Sequence, residues 1–561
     1  MRRGQLVTTY GVGAIVAVED ESFMVAGIDK WTVSEPNLHE PRLEAKLKVA
    51  GFVLPPATED GCDIPVIRFP TMVSCSECKR LASHRSFTAF DSNRCPDCEK
   101  DLVPSRFVMA CSRGHIDDFP YHRWLHQGSA NPAPHDMRME AGGETASLRA
   151  ILLSCSCGVE PKTLEGAFGK HALKGITKCT GRRPWLGGGL EDCDQIPRTL
   201  QRGASNVWFS AVASALSIPP WSEAVFRYLN KFWPMLKHLP DDAASGAIAD
   251  MGLPQKSGFR LTDFSEAIRQ RKLSDEGADT DIDQSARLQE LEALLKGRPE
   301  DASRPDFVCV PASRIGKVSS NWIDRVMLVK RLREVRALTG FTRIVPSNGA
   351  DQTTLASLYS THPGWLPAIE VLGEGVFMTL RQDRLAGWAK NEVIRDRAAK
   401  LNKQYAKRFT GLGQKPDRVI SPRFILAHTF AHSLINQWSL DCGYPTSSLR
   451  ERLYVMDDRT GVLIYTATTD SAGSLGGVIA QADPTRLDES IQGAISRVAW
   501  CSADPLCVEA DASGVDSQNL AACHACVLLP EVSCEEFNVL LDRAMLVGLP
   551  SDPAIGFFAA N

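Results

Sequence analysis

Apolar and polar positions alternate only in short bursts over the first seventy residues. The runs 13–18, 52–54 and 66–69 have strand-like composition, and Pro55 and Pro56 break the pattern between them, so a small, mainly β segment is expected. Between 208 and 240 apolar residues recur at helical spacing around Pro219 and Pro220. From 241 to 305 polar residues dominate, only 286–295 keeps a helical period, and a flexible connection is expected there. The apolar run 307–311 predicts a strand. In 321–338 the residues Leu328, Leu332, Val335 and Leu338 follow at spacings of four, three and three, which predicts an amphipathic helix. A long polar helix is expected from Arg384 to Arg408, and the segment 424–438, apolar on every side, predicts a buried helix. Two β runs, 452–456 and 462–468, flank Asp457-Asp458-Arg459-Thr460-Gly461. That is turn chemistry, so a hairpin is expected to feed the loop Gly473-Ser474-Leu475-Gly476-Gly477.

At 561 residues with 43% hydrophobic positions, the chain is long enough for three or four domains with cores of their own. The expected fold class is α+β (mixed α/β), multi-domain, with several small zinc-stabilised modules. The expected division is a mainly β segment 1–72, cysteine-rich modules 73–205, a helical region with a polar connection 206–305, and a C-terminal α/β domain 306–561. Lys and Arg number 63 against 67 Asp and Glu, a formal charge of −4, so contact with nucleic acid requires local patches. No apolar run approaches the ~18 residues of a membrane span, which predicts a cytoplasmic protein with no membrane partner.

Seventeen cysteines in a reducing compartment point to metal ligands rather than disulfides. Cys75-x-x-Cys78 and Cys95-x-x-Cys98 are two knuckles able to close one tetrahedral Zn2+ site, and four protein ligands leave no position for water, so the site is expected to be structural. A second group is Cys155, Cys157, Cys179 and Cys193, with Cys111 and His115 as alternates. A third is Cys501, Cys507, Cys523 and Cys526, with His524 and Cys534 as alternates. Two to three structural zinc sites follow. Ser533-Cys534-Glu535-Glu536 also reads as a capping box for a helix through Leu546.

His428 and His432 lie one turn apart on a helix face. Thr429 stands where a metalloprotease helix needs glutamate, so core histidines are the simpler reading, and a metal- or Ser/His-dependent hydrolase or nuclease using His428, His432 and Asp470, with Ser471 nearby, is the alternative. The loop 473–477 can cradle a phosphate if a helix starts near Val478, but neither a Walker A nor a Walker B motif is present, so no ATPase or helicase activity is expected of this chain. Lys330, Arg333 and Arg336 would form a basic stripe on the helix expected at 321–338. Arg182 and Arg183 beside Trp185, with Arg198 and Arg202 near Trp208, set cations next to aromatics, a combination suited to DNA.

Several motifs carry a resemblance over most of the chain. They are Arg3-Gly4-Gln5-Leu6 and Tyr10-Gly11-Val12-Gly13-Ala14; Gly114-His115-Ile116-Asp117-Asp118-Phe119-Pro120; the run 200–207; Arg333-Glu334-Val335-Arg336; and, near the end, 428–432, 473–477 and Ala522-Cys523-His524-Ala525-Cys526. With these the chain resembles the DrmB family, subunits of the DISARM anti-phage defence system, and its C-terminal third is similar to a cysteine-containing domain that also ends some superfamily-two helicases. The resemblance implies a non-motor subunit that pairs with a DrmA-type superfamily-two helicase in a complex engaging phage DNA, as single strand or duplex end, beside a methyltransferase that marks self DNA. It implies no active-site residues.

Overall fold

The computed structural model describes residues 2–33, 35–56, 63–87, 92–129, 135–141, 147–276, 282–346, 355–411, 415–416, 418–466, 476–514 and 517–559. The chain divides into two compact units, each discontinuous in sequence: Met1–Leu38 with Val49–Ala213 and Arg336–Ile369, and His39–Lys48 with Ser214–Val335 and Glu370–Asn561. The four consecutive segments expected from sequence therefore do not coincide with the units. Both helices and several sheets are present, as the α+β reading expected. Among the described residues no helix is long and apolar enough to cross a membrane.

The first unit is built from short strands. Its six-stranded antiparallel sheet runs Lys162–Thr163, Ile151–Cys155, Met137–Ala141, Arg80–Ser83, Met72–Cys75, Leu102–Pro104, and a three-stranded sheet runs Arg198–Gln201, Phe107–Ala110, Ile116–Asp118. Strands this short bury little, and the core around Phe107, Phe119, Tyr121 and Trp124 is small. Elsewhere in this unit a fully buried arginine joins distant loops. Arg343 donates to the carbonyls of Gly114 at 2.8 Å, Val207 at 2.6 Å and Gly13 at 2.8 Å, and its guanidinium lies over Phe341 and Trp185.

In the second unit Phe307–Pro311 is a strand as expected, but 321–338 is not helical. Residues 323–338 lie in the strand Ile323–Thr342, whose part in this unit pairs antiparallel with Phe307–Pro311. Side chains on a strand alternate, so positions three apart point to opposite faces and the stripe of Lys330, Arg333 and Arg336 does not form. Lys330 is exposed and Arg336 is buried. Arg333 is held inside the unit by Glu370 at 2.9 Å, Glu40 at 3.4 Å and the hydroxyl of Ser217 at 2.9 Å.

The stretch 241–305 is not the flexible connection expected. It carries the helices Asp241–Asp250, Leu253–Ser257, Leu261–Glu276 and Ile282–Lys296. Buried Glu290 fastens the last of these to the strand Leu449–Val455: it accepts from Arg452 at 2.7 and 2.8 Å and from the Tyr454 hydroxyl at 3.2 Å.

The buried helix forms as its pattern predicts, over Pro422–Cys442. The Ser421 hydroxyl caps it by accepting the N–H of Phe424 at 3.2 Å, Pro422 occupies the first turn, and Gly443 in the left-handed region ends it. Residues 424–435 are buried in the largest core. The expected hairpin is present as Leu449–Val455 antiparallel to Thr460–Thr466. No helix starts at the expected capping box: Phe537, Asn538 and Leu540 take positive φ, and the next helix is Ala544–Val547.

Candidate metal centres

Among the described residues, four groups with two or more cysteines each bring their donor atoms within 4.8 Å of one another. The first unites Cys75, Cys78, Cys95 and Cys98, as their spacing predicts. Each knuckle turns through a left-handed residue, Lys79 and Glu99, whose N–H groups bond back to the carbonyls of Cys75 and Cys95 at 3.1 and 2.9 Å. The N–H of Glu77 points at Cys75 Sγ at 3.4 Å. Such N–H···S bonds orient and stabilise a thiolate.

The expected second group is split between two sites. Cys179 and Cys193 join Cys111 and His115, the alternates named from sequence. Cys111 and His115 flank the turn between Phe107–Ala110 and Ile116–Asp118. At that turn Gly114 has φ +83°, and an added Cβ would stand 2.5 Å from Cβ of Ala356. His115 Nε2 donates to Glu191 at 2.8 Å, which leaves the Nδ1 lone pair facing Cys111 Sγ at 3.5 Å and Cys179 Sγ at 3.6 Å. A carboxylate behind a ligating imidazole fixes its tautomer and orientation. We expect Glu191→Gln to weaken zinc binding at this site about 10- to 100-fold, checked by competition with a chromophoric chelator.

Cys155 and Cys157 pair instead with His126 and His135. Antiparallel register places Cys155 opposite Met137, which brings His135 Nδ1 to 3.0 Å from Cys155 Sγ. His126 donates from Nδ1 to the carbonyl of His122 at 2.8 Å and presents Nε2 to Cys157 Sγ at 3.3 Å. Sequence reasoning missed both histidines. The only signal was an unusual density of histidine between 115 and 135.

The structure also brings the four cysteines of the third group together. Cys501 lies 3.4 Å from Cys523 and Cys507 lies 3.8 Å from Cys526, sulfur to sulfur, while His524 stays outside. Cys501 follows the helix Pro484–Val498, and Asp504, ion-paired with buried Arg543, accepts the Cys501 N–H at 2.9 Å.

The electrostatics of these groups ask for a cation. Without a metal, the Cys179 thiol and a protonated His115 hydrogen-bond to Cys111 and hold it down to about 4, while Cys179 is driven up by Cys111 and by burial. His126 likewise holds Cys157 down to about 6, whereas burial raises Cys155. Burial pushes Cys98 up to about 12 and Cys507 up to about 11. Crowded thiols cannot all ionise alone, and a divalent ion removes that conflict.

His428 and His432 do not stand at an open cleft. Both are fully buried beside Glu451 and Cys534, and Asp470 and Ser471 lie outside the described residues. Much of the glycine loop also lies outside them. At its described end the N–H of Val478 donates to Glu374 at 2.9 Å, with further backbone bonds from Gly476 and Ile479, so an internal carboxylate occupies the place read as a phosphate cradle. Among the cations read as DNA contacts, Arg182 pairs with Asp117 at 2.8 Å and Arg183 with Glu191 at 2.5 Å. Arg198 begins the strand Arg198–Gln201, and Arg202 is partly buried, its pKa lowered by burial and by Arg106.

Comparison with known proteins now gives these centres a context. The family described as the MrfA Zn-binding domain matches residues 430–527, which include all four cysteines of the C-terminal cluster, and a domain of unknown function (DUF8724) matches residues 2–209, which include the other three clusters. The chain is thus a multi-domain zinc-binding protein with an MrfA-type zinc domain. It is 30% identical to the DISARM protein DrmB of Bacillus paralicheniformis (strain ATCC 9945a / NCIMB 11709 / CD-2), over 94% of this chain and 97% of that protein. The chain belongs to the DrmB family of DISARM proteins.

Proposed function

We propose that this chain is the non-motor subunit of a DISARM defence complex, held together by four structural zinc ions at the cysteine clusters, which pairs with a DrmA-type superfamily-two helicase and contacts phage DNA. The observation that carries this reading is the end-to-end similarity to a DISARM protein, together with a zinc-domain match that contains a cluster of four cysteine donors. Donor sets of four protein ligands leave no open coordination position, which favours a structural role for the metals. The lack of Walker motifs is consistent with ATP turnover residing in a partner.

Most of the arginines first read as DNA contacts are engaged within their own unit, so the phosphate-facing surface is sought elsewhere. A groove of ≈ 1040 Å³ in the first unit is lined by Arg123, Lys174 and Lys178 together with Asp117, Asp118 and Asp194, over the buried rings of Phe119 and Tyr121. These three cations are exposed and make no ion pair among the described residues. Exposed cations on a groove wall suit contact with a phosphate backbone. The test is co-purification with the helicase, followed by salt titration of DNA binding for each component and for the complex. Tighter binding and a steeper salt dependence in the complex are expected. The double substitution Lys174→Glu and Lys178→Glu is expected to lower the slope of log K against log salt by about 2. A complex whose slope equals that of the helicase alone overturns the DNA contact, and failure to co-purify overturns the pairing.

A further inference from the structure

His428, His432, Glu451 and Cys534 come from three separate elements: the helix Pro422–Cys442, the strand Leu449–Val455 and the irregular segment after the turn Glu531–Ser533. All four are buried, the two histidines and the glutamate at 0% exposure and the cysteine at 3%. His428 Nε2 lies 3.2 Å from Cys534 Sγ and 3.1 Å from Glu451 Oε1, and His432 Nε2 lies 3.4 Å from the same oxygen. One donor atom from each residue falls within 4.8 Å of all the others.

Three features of the cluster are those of a metal site. His432 donates from Nδ1 to the Val527 carbonyl at 2.8 Å, so its Nε2 turns a bare lone pair toward a carboxylate oxygen, a contact between two acceptors that needs a cation between them. Among the described residues the second Glu451 oxygen has no hydrogen-bond partner, while Oε1 accepts the Glu535 N–H at 3.3 Å and is faced by the Nε2 atoms of both imidazoles. Cys534 Sγ accepts the N–H of Glu536, two residues on, at 3.3 Å, and that of Asn538 at 3.3 Å. The same contact from the second following residue marks Cys75, Cys179 and Cys501, each a member of a cysteine cluster.

The arrangement does not suit a nucleophilic cysteine. In a Cys–His–carboxylate relay the thiol and the carboxylate occupy opposite ring nitrogens, so that the imidazole can pass a proton between two roles. Here Cys534 and Glu451 approach the same nitrogen of His428, as ligands converging on one ion do. Charge decides the same way: a divalent ion, one thiolate, one carboxylate and two neutral imidazoles sum to zero, the least costly state to bury completely, whereas four thiolates leave a net −2.

We propose that His428, His432, Glu451 and Cys534 bind one zinc ion in a closed, neutral, structural site that fastens the buried helix to the hairpin strand and to the C-terminal segment. The proposal does not rest on DNA binding or on the helicase pairing. Zinc per chain is measured by elemental mass spectrometry on the full-length protein purified from zinc-supplemented cells without chelator. Five ions per chain are expected for the native sequence and four for Cys534→Ser. Should Cys534→Ser fail to fold, the isosteric Glu451→Gln serves. It is expected to give up one equivalent to a chromophoric chelator at least 10-fold faster than the native protein gives up any. Four ions or fewer in the native protein, or an unchanged count and release profile in a folded variant, overturns the site.

Discussion

Stripping zinc with a strong chelator at neutral pH is expected to unfold the strands of residues 72–201 while leaving much of the second unit protected. Three of the cysteine clusters lie in this stretch, among strands two to five residues long. Its apolar core is small, whereas the second unit wraps a large one around a 21-residue helix. A structural zinc site contributes on the order of 10 kcal/mol to folding at neutral pH, far more than a core of that size has to spare. Hydrogen exchange read by mass spectrometry distinguishes the two regions. Full exchange is expected across 72–201 after chelation, with retained protection in the hairpin Leu449–Val455 and Thr460–Thr466, whose Leu449, Leu453, Val462 and Ile464 belong to the large core. Retained protection in both regions would show that packing alone holds the first unit.

What the sequence disclosed follows from how local each signal is. The two knuckles around Cys75 and Cys95 were legible because each sets its own sulfurs by turn geometry. The helix Pro422–Cys442 was legible because burial on every side, a serine cap and a terminal glycine all agree. Cys155 and Cys179 fall in different groups because strand pairing brings His135 to Cys155, whereas Cys179 meets Cys111 and His115 from a hairpin far earlier in the chain, and spacing along the chain carries no trace of either. The strand Ile323–Thr342 was misread because it is buried on both faces for much of its length. A strand of that kind loses its alternation, and leucines at 328, 332 and 338 can then mimic a helical period. The β-branched residues Val326, Val329 and Val335 were the better guide. In 241–305 the helices hide among charges that the fold consumes internally, Glu290 with Arg452 above all.

Replacing Arg343 by Met is expected to destabilise the first unit by about 4 kcal/mol, because three buried carbonyls lose their donor together and each unpaired group costs about 1–3 kcal/mol. Part of that loss is offset, since Met removes a buried charge. Burial lowers the Arg343 pKa only to about 9, so the guanidinium is still charged at neutral pH and its desolvation is a cost the native fold already bears. The contacts over Phe341 at 4.8 Å and Trp185 at 5.4 Å go as well. The carbonyls belong to Gly13, Gly114 and Val207, one from each of three separate sequence motifs. Two of these positions admit only glycine: φ is +79° at Gly13 and +83° at Gly114, and a Cβ at Gly13 would meet the Phe341 ring at 2.5 Å. Those motifs are therefore explained by a backbone knot closed by one arginine, with no catalytic role required of them. Arg343→Lys separates geometry from charge. An ammonium keeps the charge but cannot reach three carbonyls arrayed around a planar fork, so less than half of the loss should be recovered. Urea unfolding followed on the first unit measures both variants. An unfolding free energy for Arg343→Met within about 1 kcal/mol of the native value, or full recovery by Lys, would mean that the three loops are held by their other contacts.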